Sequence, residues 1–230
     1  MKLSIIIPCF NEEATISKII QRVADVDLIG IEKEIIVVDD GSDDRTFGTL
    51  KQLKNKFDFQ LFNHGINLGK GAAIKTALKN ISGDYVIIQD ADLEYNPEDY
   101  KKLLRCVQEK SAQVVYGSRY SGSEGKYSHP FFYFGGRILT WLTNLLYGTR
   151  ISDEATCYKL FKREVISKID LKCKGFDFCP EITAKVLKKG IKIYEVPIGY
   201  SPRNIEDGKK IKLKDGLYAI WILIKYKFID

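Results

Sequence analysis

No Cys-x-x-Cys pair occurs among the five cysteines, Cys9, Cys106, Cys157, Cys173 and Cys179. That speaks against a zinc site and for the reduced thiols of a cytoplasmic compartment. No apolar run approaches the ~20 residues that span a bilayer. No secretory signal is expected either, since Met1-Lys2 leads straight into the apolar stretch Leu3 to Ile7. Gly-x-Ser-x-Gly is missing and the only histidines are His64 and His129, so hydrolase readings fail. Gly69-Lys70-Gly71 lacks both the dinucleotide fingerprint and the Ser/Thr that follows the lysine of a phosphate loop. There is no internal repeat and no low-complexity linker. What is present, 45% hydrophobic and 29% charged residues over 230 positions, describes an ordinary globular chain of about one domain. The net charge of +6 suits an anionic partner.

Apolar runs and amphipathic stretches alternate. Leu3 to Ile7, Glu34 to Val38, Phe59 to Phe62, Tyr85 to Ile88 and Val114 to Tyr116 read as strands. Between them, helices are expected around Ile16, Ile19, Ile20 and Val23, over Thr46 to Lys56, and over Ala72 to Lys79, with Asn11 as the N-cap of the first. Another is opened by Asn96-Pro97-Glu98. This alternation implies βαβ units and a mainly parallel sheet flanked by helices, an α/β fold. Ligands of such sheets bind beyond the carboxyl ends of the strands. Polar clusters follow three of the strands: Phe10 to Glu12, Asp39 to Ser42 and Asp90 to Glu94. They should share one edge.

The third cluster places Asp90, Asp92 and Glu94 at alternate positions. In an extended chain their side chains point the same way. Three converging carboxylates repel, and burial raises their pKa values. A hard divalent cation, Mg²⁺ or Mn²⁺, resolves the conflict and leaves coordination sites for phosphate oxygens. A solvated acidic turn is the competing reading. The glycines of Gly69-Lys70-Gly71 suit a close backbone approach at a helix start.

Downstream come Gly117-Ser118-Arg119, then Pro130 to Arg137 leading into a helix over Ile138 to Tyr147. This aromatic and aliphatic segment fits either a core helix or a helix lying in a membrane surface. Leu160-Phe161 and Ile191 to Val196 read as strands. Arg163 to Ile169, Glu181 to Lys188 and Leu217 to Phe228 read as helices, the last too short to span a membrane.

Pro8-x-Phe10-Asn11-Glu12, Asp39-Asp40-Gly41-Ser42, Asn67-x-Gly69-Lys70-Gly71, Asp90-Ala91-Asp92, Gly117-Ser118-Arg119 and Asp153-x-x-Thr156-Cys157-Tyr158 occur in that order. Together they resemble family-2 inverting glycosyltransferases of the dolichyl-phosphate mannose synthase type, over nearly the whole chain. The resemblance implies the GT-A fold, a Rossmann-like and mainly parallel sheet, here with C-terminal amphipathic helices. It implies a single domain, with residues 1–120 binding a nucleotide sugar and 121–230 the acceptor.

By that resemblance Pro8, Phe10 and Glu12 border the nucleoside, and Asp40 hydrogen-bonds base or ribose. Lys70 and Asp90 also bind the nucleotide sugar, while Asp90, Asp92 and Glu94 hold Mg²⁺ or Mn²⁺, with Asp92 counted as catalytic. Arg203 and Lys209 belong to a basic segment that closes over the diphosphate. Phe10 stands where relatives usually carry tyrosine, and the tail departs from the Gly-Glu-Ser-Lys common in mannose synthases.

Asp153 occupies the family's general-base position, needed for a hydroxyl acceptor. For a lipid phosphate, already anionic, Asp153 would position groups while Arg119 and Arg137 bind the phosphate. The expected partners are a nucleotide-diphosphate sugar (GDP-mannose or UDP-glucose type), a polyprenyl phosphate and the inner face of the cell membrane through peripheral contact; no nucleic acid is expected. Transfer to a saccharide hydroxyl is the alternative. A sugar-phosphate nucleotidylyltransferase would carry a glycine-rich basic loop where Pro8 to Glu12 stands, and a non-catalytic module would lack the acids or Asp153.

Overall fold

The computed structural model describes residues 1–121, 130–203 and 213–229. Seven strands form one sheet: β1 (Lys2–Cys9), β2 (Glu32–Asp39), β3 (Gln60–Asn63), β4 (Tyr85–Ile88), β5 (Val114–Ser118), β6 (Lys159–Lys162) and β7 (Ile193–Pro197). The order across the sheet is β3-β2-β1-β4-β6-β5-β7. All neighbours run parallel except β6, which is antiparallel to both β4 and β5. The expected sheet flanked by helices is therefore present. Ile5, Ile6 and Ile7 of the central strand β1 are fully buried, as a strand covered on both faces requires.

Around the sheet lie α1 (Ile16–Asp25), α2 (Thr46–Leu53), α3 (Lys70–Leu78), α4 (Tyr100–Lys110), α5 (Pro130–Tyr147), α6 (Arg163–Ile166), α7 (Phe178–Lys188) and α8 (Leu213–Phe228). In α1 the buried residues are Ile16, Ile19, Ile20 and Val23, the stripe its 3–4 spacing demands. Asn11 does not cap α1; Thr15 holds that position without a side-chain bond. Asn11 instead adopts φ 49° and donates to Asp43 at 2.6 Å, tying the loop after β1 to the loop after β2.

Two topological features place the site. First, β2 and β3 extend the sheet to one side of β1 while β4 lies on the other, so the chain reverses direction of growth between β1 and β4. That reversal opens a crevice at the carboxyl ends of the two strands. Second, because β6 is antiparallel, its start lies at the same edge as the ends of β4 and β5. The turn of residues 153–158 is thereby delivered to the crevice.

The helix α5 and the helix α8 pack on each other and on α7 around a small second core, in which Ile222, Leu223 and Tyr226 of α8 meet Leu139, Leu142 and Leu146 of α5. The core-helix reading of α5 holds for this face, while its other face carries exposed Phe134, Ile138, Trp141 and Leu145. No helix among the described residues is long and apolar enough to cross a membrane.

Candidate functional site

A cavity of about 820 Å³ opens at the carboxyl edge between β1 and β4. Pro8, Phe10, Glu12, Asp40, Lys70, Asp90, Asp92, Glu94, Arg119 and Arg203 all contribute to its wall. The polar clusters after β1, β2 and β4 thus share one edge, as their positions in the sequence require. Arg137 is exposed and does not line the cavity; it donates to the Ser152 carbonyl at 3.3 Å. Lys209 lies outside the described residues.

On the side of β2, Asp40 is buried and both its oxygens are engaged. Oδ1 accepts from Leu68 N at 3.0 Å and Oδ2 from Gly69 N at 2.7 Å, so the carboxylate anchors the loop that opens α3. Gly69 has φ 98°, and a Cβ there would sit 2.3 Å from the Lys174 carbonyl oxygen. The close approach read from the glycines is real, and its partner is a loop more than a hundred residues further on. His64, noted in the sequence only as one of two histidines, completes the anchor: Nδ1 lies 2.7 Å from Asp40 Oδ1 and Nε2 lies 2.8 Å from Thr76 Oγ1. A polar side chain just past a strand end was its only signal. His64→Ala should loosen this loop and raise the KM for donor roughly tenfold with kcat little changed, as expected for one lost hydrogen bond to a charged group. Steady-state kinetics with the donor varied would detach His64 from the site if KM stayed put.

The acidic cluster departs from expectation. Ala91 and Asp92 form a turn and Leu93 has φ 65°, so the chain is not extended and the three acids do not project as a set. Glu94 is drawn aside: Oε2 accepts from Tyr200 OH at 2.7 Å and Oε1 from the Arg203 backbone N–H at 2.9 Å. Among the described residues no three carboxylates, histidines or cysteines are grouped to hold a metal. Glu94 is thus engaged apart from Asp90 and Asp92, the two acids left to hold a divalent cation if one binds. Asp90 is ion-paired with Lys70, and Arg203 Nη2 donates to Asp92 Oδ2 at 3.0 Å. Burial, then the charges of Asp90 and Glu94, push the Asp92 carboxyl up to about 7 despite Arg203. Such a site carries surplus negative charge, and two carboxylates fit Mg²⁺ or Mn²⁺, which take their other ligands from phosphate and water. Gln89, also missed, fixes the strand end. It is fully buried, and its Oε1 accepts from Tyr158 OH at 2.6 Å while Nε2 donates to the Asp90 carbonyl at 2.9 Å.

In the turn before β6, Asp153 is fully buried and does not line the cavity. Arg119 covers it: Nε donates to Oδ2 at 2.7 Å and Nη2 to Oδ1 at 2.8 Å, and the Arg119 backbone N–H adds a third bond at 3.0 Å. Glu195 on β7 fixes the turn from behind, accepting from Ser152 N at 2.7 Å and Asp153 N at 3.0 Å. Burial opposes the Arg119 charge, but Asp153 outweighs it and holds the guanidinium pKa well above its usual value. The group facing the cavity here is a permanent cation. Asp153 stands behind it, with both carboxyl oxygens engaged by the guanidinium.

A dolichol-phosphate mannosyltransferase of Pyrococcus furiosus is 31% identical over 212 residues, which is 91% of this chain and 59% of that protein. The low-salt glycan biosynthesis hexosyltransferase Agl6 of Haloferax volcanii is 31% identical over 207 residues, 89% of this chain and 49% of the relative. The chain thus spans about three fifths of the first of these proteins and about half of the second. The dolichyl-phosphate beta-glucosyltransferase ALG5A of Trichomonas vaginalis is 30% identical over 241 residues, covering 97% of this chain and 72% of that one. Among solved structures, glucosyl-3-phosphoglycerate synthase from Mycobacterium tuberculosis in complex with UDP superposes with a TM-score of 0.75 at 20% identity, over 100% of this chain and 81% of that chain. At that identity the likeness concerns the fold, which is of the GT-A type. The description "Glycosyl transferase family 2" matches residues 4–170, and with the relatives above it establishes that this chain belongs to glycosyltransferase family 2.

Proposed function

We propose that the chain transfers a hexosyl group, with inversion, from a nucleoside-diphosphate sugar to a polyprenyl phosphate at a membrane surface. The observation that carries this reading is the Arg119–Asp153 pair. Where a hydroxyl acceptor would need a free base, the cavity presents a guanidinium, which suits an acceptor that is already anionic. The curated relatives that act on dolichol phosphate, by their names, support the same acceptor class.

In this reading the nucleotide lies over Pro8, Phe10 and Glu12, beside the loop that Asp40 anchors, in the half 1–120. The acceptor phosphate meets Arg119 in the half 121–230. An acceptor phosphate oxygen attacks the anomeric carbon, the bond to the diphosphate breaks on the opposite face, and the nucleoside diphosphate leaves. Lys70 and Arg203 stand where its developing charge falls, and electrostatic stabilisation of a leaving group is the largest effect such a site can supply. Mg²⁺ or Mn²⁺, held by Asp90 and Asp92, would add Lewis-acid stabilisation of the same diphosphate. Solved fold neighbours contain Mn²⁺ or Mg²⁺ with UDP, which supports that cofactor class.

The membrane contact is supported by the exposed apolar stripes. On α8, Leu217, Trp221, Ile224 and Phe228 recur at helical spacing and are exposed, beside the corresponding face of α5. Lys225 and Lys227 fringe them, and near an anionic surface each adds about 1 kcal/mol. The protein should float with anionic vesicles, less so in high salt, and charge reversal at both lysines should reduce flotation further.

The deciding assay supplies radiolabelled GDP-mannose, UDP-glucose or UDP-N-acetylglucosamine with dolichyl or undecaprenyl phosphate vesicles and extracts lipid. Label in the organic phase, from one donor, is the expected result. Label confined to soluble saccharide would transfer the reading to a hydroxyl acceptor.

A further inference from the structure

The turn before β6 carries an acid that none of the roles above uses. Glu154 is fully buried, and neither of its carboxyl oxygens has a hydrogen-bond partner. It is the only buried carboxylate among the described residues in that condition. Other buried acids of this chain are satisfied: Glu181, for instance, accepts from Lys172 N at 2.8 Å and Cys173 N at 2.6 Å.

The backbone around Glu154 is fixed while its side chain is not. Its N–H donates to Thr140 Oγ1 on α5 at 3.0 Å. The neighbouring cation, Lys159, is committed elsewhere, to the carbonyls of Glu154 and Thr156 and to the Tyr116 ring at 4.1 Å. The Thr183 hydroxyl of α7 favours the ionised form, yet it is engaged with Tyr116 OH at 3.0 Å, and no donor reaches the carboxyl in bonding geometry. Leaving such a group unsatisfied costs about 1–3 kcal/mol. Glu154 also belongs to the wall of the functional cavity, one residue from the carboxylate that holds Arg119.

We propose that Glu154 is an acceptor-recognising residue whose carboxyl donates a hydrogen bond to an anionic phosphate oxygen of the acceptor. The proposal rests on the phosphate-acceptor reading above. Burial, the largest influence, and the charge of Asp153 raise the Glu154 pKa, against Lys159, Thr183 and Arg119, and a buried carboxyl that no donor reaches costs less as the neutral acid than as a bare anion. A carboxylic acid has one O–H to give, and the partner it lacks is an oxyanion. Arg119 brings the charge that attracts the phosphate. Glu154 adds a neutral donor to the same cavity wall without repelling the anion.

Isothermal titration with farnesyl phosphate, and farnesol as the phosphate-free control, tests this on the whole chain. Glu154→Gln retains an N–H donor and should bind farnesyl phosphate within about threefold of the wild type. Glu154→Leu removes the donor and should weaken binding roughly 10–100-fold, the range of one hydrogen bond to a charged group. Circular dichroism and melting temperature report folding. If Leu unfolds the chain, Glu154→Ala gives the same readout. A donor-free variant that folds and binds like the wild type would overturn the role of Glu154, as would a Gln variant as weak as Leu. In both cases wild-type binding of farnesyl phosphate would leave the acceptor reading intact. Wild-type protein that prefers farnesyl phosphate no more than farnesol would overturn that reading and this inference together. A Gln variant with unchanged binding but abolished transfer would make Glu154 a proton acceptor and overturn its role as donor.

Discussion

Asp92→Asn is expected to lower sugar transfer by roughly 10²–10³-fold, the cost of removing one electrostatic group from a charged transition state. The variant keeps the size of the side chain and its bond to the Glu94 N–H, at 3.1 Å in the wild type, so the turn should survive. What it loses is the charge that would face a divalent ion. Because the Asp92 carboxyl is pushed up to about 7, protons compete with the metal below that value. Metal affinity should therefore rise with pH up to about 7 and level off above it, with a proton released on binding. The same shift has a consequence for the metal-free fold. An acid whose pKa is higher folded than unfolded favours the folded state most below its unfolded value of about 4. That contribution is lost as pH rises through about 7. Mn²⁺ titration at several pH values, calorimetric or by electron paramagnetic resonance, checks this independently of turnover. Full activity in excess chelator, or a flat pH dependence in the wild type, would remove the metal from Asp92.

Arg119→Met should cost about 3–5 kcal/mol of stability, because it strands the fully buried Asp153 carboxylate without its counter-charge. At this chain length that is a fall in melting temperature of roughly 10 °C. Acceptor binding should be lost with it. The double variant Arg119→Met with Asp153→Leu replaces the pair by apolar groups and should recover most of the stability but none of the acceptor binding. A double variant that transfers sugar normally would take Arg119 out of acceptor recognition. Asp153→Asn separates the two roles considered for that carboxylate. If it orients Arg119, the acceptor KM rises and kcat changes little. A kcat loss of roughly 10²–10⁴-fold at unchanged acceptor affinity would return it to the role of general base.

Legibility in the sequence followed the range of the forces involved. Strands such as Tyr85–Ile88 were readable to the residue because an apolar run bounded by polar residues is a local signal. So was the shared edge of Phe10, Asp40 and Asp90, since parallel strands all end on one side. The extended alternation expected for Asp90, Asp92 and Glu94 is absent, because Leu93 at φ 65° turns the chain between the last two. The pull on Glu94 comes from Tyr200 and Arg203, more than a hundred residues away, which no spacing rule can anticipate.

By itself the sequence determined the α/β architecture, the edge that carries the cavity and most of the polar residues in its wall after β1, β2 and β4, because periodicity and strand-end clusters are encoded within short windows. Tertiary structure alone decided the direction of β6, and with it the delivery of residues 153–158 to the cavity. It also decided that Asp153 pairs with Arg119, that His64 braces Asp40, and that Glu154 lies buried with no hydrogen-bond partner for its carboxyl oxygens. Each of these depends on where distant segments meet, and a carboxylate's role is set by which of its oxygens remain free once they have met.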